Sequence, residues 1–162
     1  MLPPRDNNYI GVNHYQKINN NSVVTKLSVN FIAAQDLPAF WPQCGPLIEK
    51  GLEDSEGELD QAYLLQLLQA GQAMLLVGMD EDGKVHAAMA VQMQRYPAYT
   101  VAHVLSIGGR WVMENREHWG AIKLWLKQHG ASKVQGSCKP AQVRLWHRLG
   151  MEPVYTIVRE DL

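Results

Sequence analysis

The hydrophobic and polar positions of this chain switch between two periods. VVTKLSVNFI, 23–32, is rich in β-branched residues with partial alternation, which predicts a first strand. Asp36 is placed to cap a helix beginning at LPAFWP. Pro38 sits where its missing amide does no harm, and Phe40 and Trp41 give that helix a large apolar face. Pro42 and Pro46 predict a helix that is short or broken. GLEDSEGELD, 51–60, is an acidic turn. In the next stretch, AYLLQLLQAG, Leu64, Leu65, Leu67 and Leu68 recur at helical spacing and Gly71 closes the helix. The period then changes. AMLLVGM, 73–79, reads as a buried strand, DEDG, 80–83, as a turn, and KVHAAMAVQMQRY, 84–96, as the partner strand of a hairpin. After Pro97, TVAHVLSI, 100–107, is a further strand ending at Gly108 and Gly109.

From Glu114 the helical period returns, with Asn115 as its cap. Trp119, Ile122, Trp125 and Leu126 share one face, and Gly130 stops the helix. SKVQGS, 132–137, predicts a short strand. Pro140 opens another helix, with Ala141, Leu145 and Leu149 on one face flanked by Trp146, and Gly150 ends it. PVYTIVRE, 153–160, predicts a last strand. The second half therefore reads β-α-β-α-β. The whole predicts an α+β (α/β) domain over 23–162, with a central, mixed and mostly antiparallel sheet flanked by helices.

Residues 1–22 differ from the rest, with six asparagines, two prolines and few aliphatic residues. Such a segment cannot offset its own ordering entropy. It reads as a polar N-terminal arm: either a loose tail, or one that docks on a partner or a second copy through Tyr9, Ile10 and Tyr15. The 162 residues are enough for one domain with a proper core, and 46% hydrophobic with 19% charged residues is an ordinary globular composition. A net charge of -1 gives no reason to expect nucleic acid or anionic lipid as a partner. No apolar run has the length of a membrane helix, and the N-terminus lacks a signal-peptide core. Cys44 and Cys138 lack metal-ligand spacing, and no histidine-carboxylate spacing suggests a metal. Reduced thiols and a cytoplasmic location are the expectation.

The ending RLWHRLGMEP, 144–153, resembles the end of proteins of the GCN5-related N-acetyltransferase (GNAT) superfamily, and the element order over 23–160 resembles that fold. By motif the resemblance covers only the last third of the chain. LPAFWP, the later Tyr96-Pro97 and the strand ending in two glycines resemble small acetyltransferase-like proteins of tailed bacteriophages, some of which are virion-associated. That implies host cytoplasm or virion as the location. The wider resemblance implies an acyl-CoA N-acyltransferase fold, with acetyl-CoA as cofactor in the gap where two parallel strands part. It also implies an amine or protein substrate as acceptor. The pyrophosphate would meet free amides at a strand end and the following helix N-terminus, where N–H groups and the helix dipole favour negative charge.

The residues that match are not the family's usual ones. SIGGRWVMENREHWG, 106–120, lacks the glycine signature of the phosphate loop, because Gly108 and Gly109 are adjacent and precede Arg110. Ile107, Gly108, Gly109 and Arg110 are the candidate cofactor contacts there, the glycines as a small nest and Arg110 as a phosphate partner. The alternative is a sharp turn at a strand end. The family's frequent tyrosine acid in the last helix corresponds to Trp146, whose N–H is no practical proton source. Lys139 and Gln142 stand where the family often has asparagine and alanine. Lys139 and Trp146 complete the candidate cofactor set.

Candidate general bases on or near the central strands are His86, His103, Ser106 and Glu114, and Tyr155 is a candidate acid. His103 shares a strand side with Val101 and Leu105; Ala102, Val104 and Ser106 share the other. His118, His129 and His147 read as solvent-facing. Trp41 and Trp111 are candidates for a packed groove or an interface. Two functions follow: an acetyl-CoA-dependent N-acetyltransferase, or a catalytically inactive structural or interaction protein on the same scaffold.

Overall fold

The computed structural model describes the backbone of residues 14–18, 23–110 and 116–162, and the side chains of 27–110 and 116–162. Six strands form one sheet in sequential order: β1 (His14–Ile18), β2 (Val23–Ile32), β3 (Met74–Met79), β4 (Val85–Arg95), β5 (Thr100–Gly109) and β6 (Lys133–Gly136). Every neighbouring pair is antiparallel except β5 and β6, which run parallel. The mixed, mostly antiparallel sheet is the one expected. Part of the predicted arm, His14–Ile18, is strand β1 against β2; the rest of 1–22, with its Tyr9 and Ile10 anchors, lies outside the described residues.

One face of the sheet carries α1 (Leu37–Gly51) and α2 (Gln61–Gln69), which bury Leu37, Phe40, Cys44, Ile48, Leu64 and Leu68 against Leu75, Val77, Ala88 and Ala90. The other carries α3 (Arg116–Gln128), whose Trp119, Ile122 and Leu126 cover Val29, Leu76, Met89, Val91 and Val104. The short α4 (Val143–Arg148) adds Leu149 at its end. Burial pushes the Cys44 thiol up to about 12, which keeps it neutral; Cys138 is free and exposed.

Several expectations are corrected. Pro42 and Pro46 do not break α1, which runs unbroken for 15 residues. Pro38, Pro42 and Pro46 recur every four residues on the exposed side, so the carbonyls left without amide partners face solvent while Leu37, Phe40, Cys44 and Ile48 face the sheet. Asp36 stands at the start of α1, but its side chain makes no capping bond. Asp60 does cap α2, accepting from the Tyr63 amide at 2.7 Å. His118 is 1% exposed rather than solvent-facing, because it lies four and eight residues before Ile122 and Leu126 on the same stripe.

The Ala141, Leu145, Leu149 stripe also fails: Leu145 is 39% exposed and only Leu149 is buried. A 3-10 turn over Pro140–Gln142 precedes α4, and its tighter winding rotates Ala141 off the α-helical phase. PVYTIVRE is not a strand, since residues 151–162 form no regular element and no sheet edge lies paired beside them.

The β3–β4 turn is held by Asp80. Its Oδ1 accepts from the amides of Asp82 and Lys84 at 2.9 and 3.0 Å, and its Oδ2 meets His86 Nε2 at 2.8 Å. Burial works against the charge on Asp80, but these bonds outweigh it and hold the carboxyl below its ordinary range. A carboxyl held low stabilises the fold above its unfolded pKa, and that contribution is lost as pH falls through the folded value. Asp80→Ala is therefore expected to cost about 2 kcal/mol at neutral pH. The deficit should shrink on acidification, as read by urea denaturation at several pH values; a deficit that does not vary with pH would refute the assignment.

Candidate functional site at the parting of two strands

Strands β5 and β6 pair only from Val101↔Lys133 to Val104↔Gly136, after which β5 continues to Gly109 with β4 alone. Alternate backbone groups of 105–109 consequently face an opening rather than a neighbouring strand. The opening starts at a β-bulge. Val104 pairs with Val91 and Ser106 with Ala90, so Leu105 is an extra residue with no opposite number on β4. The bulge reverses the predicted sides. Leu105 and Ser106 both turn towards α1, and Ser106 does not share the side of Ala102 and Val104.

Ser106 is 3% exposed and donates its hydroxyl proton to the Ile48 carbonyl at 2.8 Å. It ties β5 to α1, and its hydroxyl proton is committed to that bond. Gly108 lies against the same helix: a Cβ there would stand 2.0 Å from the Leu47 carbonyl oxygen. Gly109 has φ +93°, and its Cβ would stand 2.3 Å from the His86 carbonyl oxygen. Both glycines are required by backbone approach and backbone conformation. Ile107 pairs with Met89 and packs on the α3 side. Arg110 is exposed, with its amide donating to the His86 carbonyl at 3.3 Å. Residues 111–115, with Trp111, Glu114 and Asn115, lie outside the described residues.

His103 lies on the α1 side of β5, opposite Gln92 on β4 and Gln135 on β6. Its Nδ1 is 3.3 Å from the Gln135 side-chain nitrogen. The amide nitrogen donates, which places the proton of the neutral ring on Nε2. Burial lowers the His103 pKa below the ordinary histidine value, with the Glu58 charge working in the opposite direction. His103 is thus a neutral, half-buried imidazole at neutral pH. The other base candidate, His86, is tied to Asp80 at the hairpin, alongside the glycine end of β5.

The remaining candidates are scattered. Lys139 forms ion pairs with Glu56 at 2.7 Å and Asp54 at 3.7 Å. Its hydrogen bond with Glu56 lowers the Glu56 pKa and raises its own. Gln142 donates to Asp54 at 3.0 Å, and Arg159 pairs with Glu58. The acidic turn is therefore fastened to the end of β6, the start of α4 and the C-terminal segment. Trp146 is half-buried and packs edge-on against Trp119, with ring centres 6.1 Å apart, beneath the α3 side of the sheet. Tyr155 is 71% exposed. His147 is exposed and paired with Glu152 at 3.1 Å, and His129 is exposed against Trp125.

The structure thus brings together the bulge, His103, Gln135 and Glu58, while Trp146 packs on the α3 side of the sheet. Gln135 and Glu58 escaped the sequence reading. SKVQGS was legible as a strand, but its parallel register opposite His103 was not.

Among the described residues no helix is long and apolar enough to cross a membrane. No protein-family model matches the chain, and no curated protein does. Solved structures do match. An aminoglycoside acetyltransferase from an uncultured soil metagenomic sample superposes with a TM-score of 0.61 at 17% identity, over 84% of this chain and 96% of that one. Glucosamine-6-phosphate N-acetyltransferase from Arabidopsis thaliana gives 0.56 at 12% identity, over 83% and 97%. A possible acetyltransferase from Clostridium difficile 630 gives 0.57 at 12%, over 84% and 97%. The chain therefore has the fold of the GNAT-type acetyltransferases, over nearly the full length of each.

Proposed function

We propose that the protein is an acetyl-CoA-dependent N-acetyltransferase acting on an amine. The observation that carries this reading is the opening between β5 and β6, set by the bulge at Leu105 within a GNAT-like sheet. The free edge of 105–109 would hold the thioester, and a strand amide there would meet the oxyanion formed on attack by the amine. Arg110 stays at the phosphate end. His103 takes the ammonium proton at Nδ1, and its long contact with Gln135 yields to the incoming amine. Proximity of amine and thioester supplies most of the rate. The thiolate that leaves would take its proton from solvent, since the Trp146 indole is no practical proton source. The reading places the enzyme in the cytoplasm.

Calorimetric titration with acetyl-CoA, against CoA, tests this directly. Saturable binding in the micromolar range, about -8 kcal/mol, is expected. Arg110→Glu should weaken it at least tenfold while leaving the fold intact. For the acceptor found, kcat/KM should fall on acidification only below the ordinary histidine range, and His103→Gln should remove that dependence. An unaltered pH profile would take His103 out of the mechanism.

A second reading has its own observations. Lys139 is engaged by Glu56 and Asp54, and Trp146, at the position of the family's frequent tyrosine acid, is packed against Trp119. On that reading the scaffold serves a structural or interaction role; a virion-associated one rests on the sequence resemblance to phage proteins. Absence of heat and of thermal shift at millimolar acetyl-CoA would favour it.

A further inference from the structure

The acidic turn between α1 and α2 does more than connect two helices. α1 ends at Gly51 against β5, where a Cβ would stand 2.6 Å from the Ile107 carbonyl oxygen. That contact lies beyond Val104, the last β5 residue paired with β6. From there the chain crosses to the other bank of the opening. Asp54 accepts from the Gln142 side chain at 3.0 Å and lies 3.7 Å from Lys139 Nζ, and Glu56 meets Lys139 at 2.7 Å. Lys139 stands just past the end of β6 at Gly136. The turn therefore bridges the two strands where they part.

Its two ends are pinned, because Leu52 is buried and Leu59 packs against the α1-side core. The residues between them, except Ser55, are exposed. This middle part is braced from within. The Ser55 amide donates to the Leu52 carbonyl at 2.9 Å, the Glu58 amide to the Ser55 carbonyl at 3.1 Å, and the Ser55 hydroxyl to the Leu59 carbonyl at 3.3 Å. It is also strained. Glu56 has φ +56°, and among the described residues it is the only non-glycine with a positive φ. Such a backbone persists only where its surroundings impose it, and the Lys139 ammonium engages this residue. The two side chains are 48% and 62% exposed, so water and salt weaken their pair. Pinned ends, a strained middle and a weak, screened contact make a latch that opens without unfolding the domain.

We propose that residues 52–59 are a strap across the opening between β5 and β6, latched by Lys139 on Asp54 and Glu56, and that unlatching admits a ligand from the α1 face. Arg159, paired with Glu58, ties the strap to the C-terminal segment and steadies its closed position. When the latch opens, the middle part lifts about Leu52 and Leu59, and the free edge of 105–109 meets solvent. The role as an entrance rests on the acetyltransferase reading; the motion of the strap does not, because it is measured without ligand.

Amide hydrogen exchange of the full chain, read by mass spectrometry, tests this. Lys139→Met should speed exchange of 52–59 and 105–109 about threefold at low salt, the factor that one exposed ion pair sets. Asp54→Asn/Glu56→Gln should do the same from the strap side, and Lys139→Arg should restore the wild-type rate. Raising NaCl to about 500 mM should bring the wild type to the rate of Lys139→Met and leave that variant unchanged. Unchanged exchange in Lys139→Met overturns the proposal. So does faster exchange that extends through β3, which means a general loss of stability. If the strap responds as expected and acetyl-CoA does not bind, the acetyltransferase reading fails and the strap stands.

Discussion

Gly108→Ala is expected to lower the stability of the protein by about 3 kcal/mol, the upper part of the range for overpacking a closed core. Gly120→Ala, the same chemical change twelve positions along, should raise it by about 0.8 kcal/mol. At Gly108 the new methyl carbon would stand 2.0 Å from the Leu47 carbonyl oxygen and 2.8 Å from its carbon. Neither atom can rotate away, because both belong to the backbone of α1. The helix must lift off β5, and that lift breaks the Ser106 bond to Ile48. At Gly120 nothing lies within 4 Å of the added carbon, and an alanine in the interior of α3 loses less conformational entropy on folding. Urea denaturation of the two variants reads both signs. Equal midpoints would mean that α1 does not seat on β5 as described. Because Gly108 is a packing glycine, acidic substitutions there or at Gly109 cannot separate loss of acetyl-CoA binding from loss of fold, which is why Arg110 is the better probe.

Trp119→Ala should cost about 4 kcal/mol, within the range for removing a buried large aromatic. Trp119 is 2% exposed and stands in the core between α3 and the sheet. Its indole N–H donates to the Leu149 carbonyl at 3.2 Å, and its ring meets that of Trp146. One side chain therefore joins α3 to the end of α4. Trp119→Phe keeps much of the packing but leaves the Leu149 carbonyl without its donor, so about 2 kcal/mol is expected. Denaturation midpoints and near-ultraviolet dichroism follow the two steps. If Phe and Ala cost the same, the hydrogen bond rather than the packing dominates. A cost under about 1 kcal/mol for Ala would mean that the pocket collapses freely, contrary to the packing seen.

Most of the fold was legible because most of its elements carry a strong local period. The hairpin around DEDG, the leucines of α2 and the β-branched run 23–32 each specify their element without help from distant residues. The failures have a common physics. Pro42 and Pro46 predicted a short or broken helix from local backbone rules. Whether the freed carbonyls face water or core depends on which side of α1 meets the sheet. PVYTIV has strand composition, but a strand exists only when an edge accepts it, and in the single chain none does. His118 was assigned to solvent although its spacing to Ile122 and Leu126 already placed it on the buried stripe.

The site was legible in part. The strand carrying His103, Ser106 and the two glycines was found, yet the roles within it depended on one extra residue. A bulge at Leu105 leaves no mark in a run such as TVAHVLSI, because the misfit belongs to the pairing of two strands rather than to either one.

By itself the sequence determined the order and type of the elements from β2 to α4, most of the core, and the departures from the acetyltransferase motif at 106–120 and Trp146. Those are properties of residue type and local spacing. The tertiary structure decided which strands part, which side Ser106 takes, that Gln135 and Glu58 flank His103, and that Lys139 and Arg159 are held by the acidic turn. Each of these is a contact between residues far apart in the chain, fixed by sheet register and helix docking, and no local period encodes it.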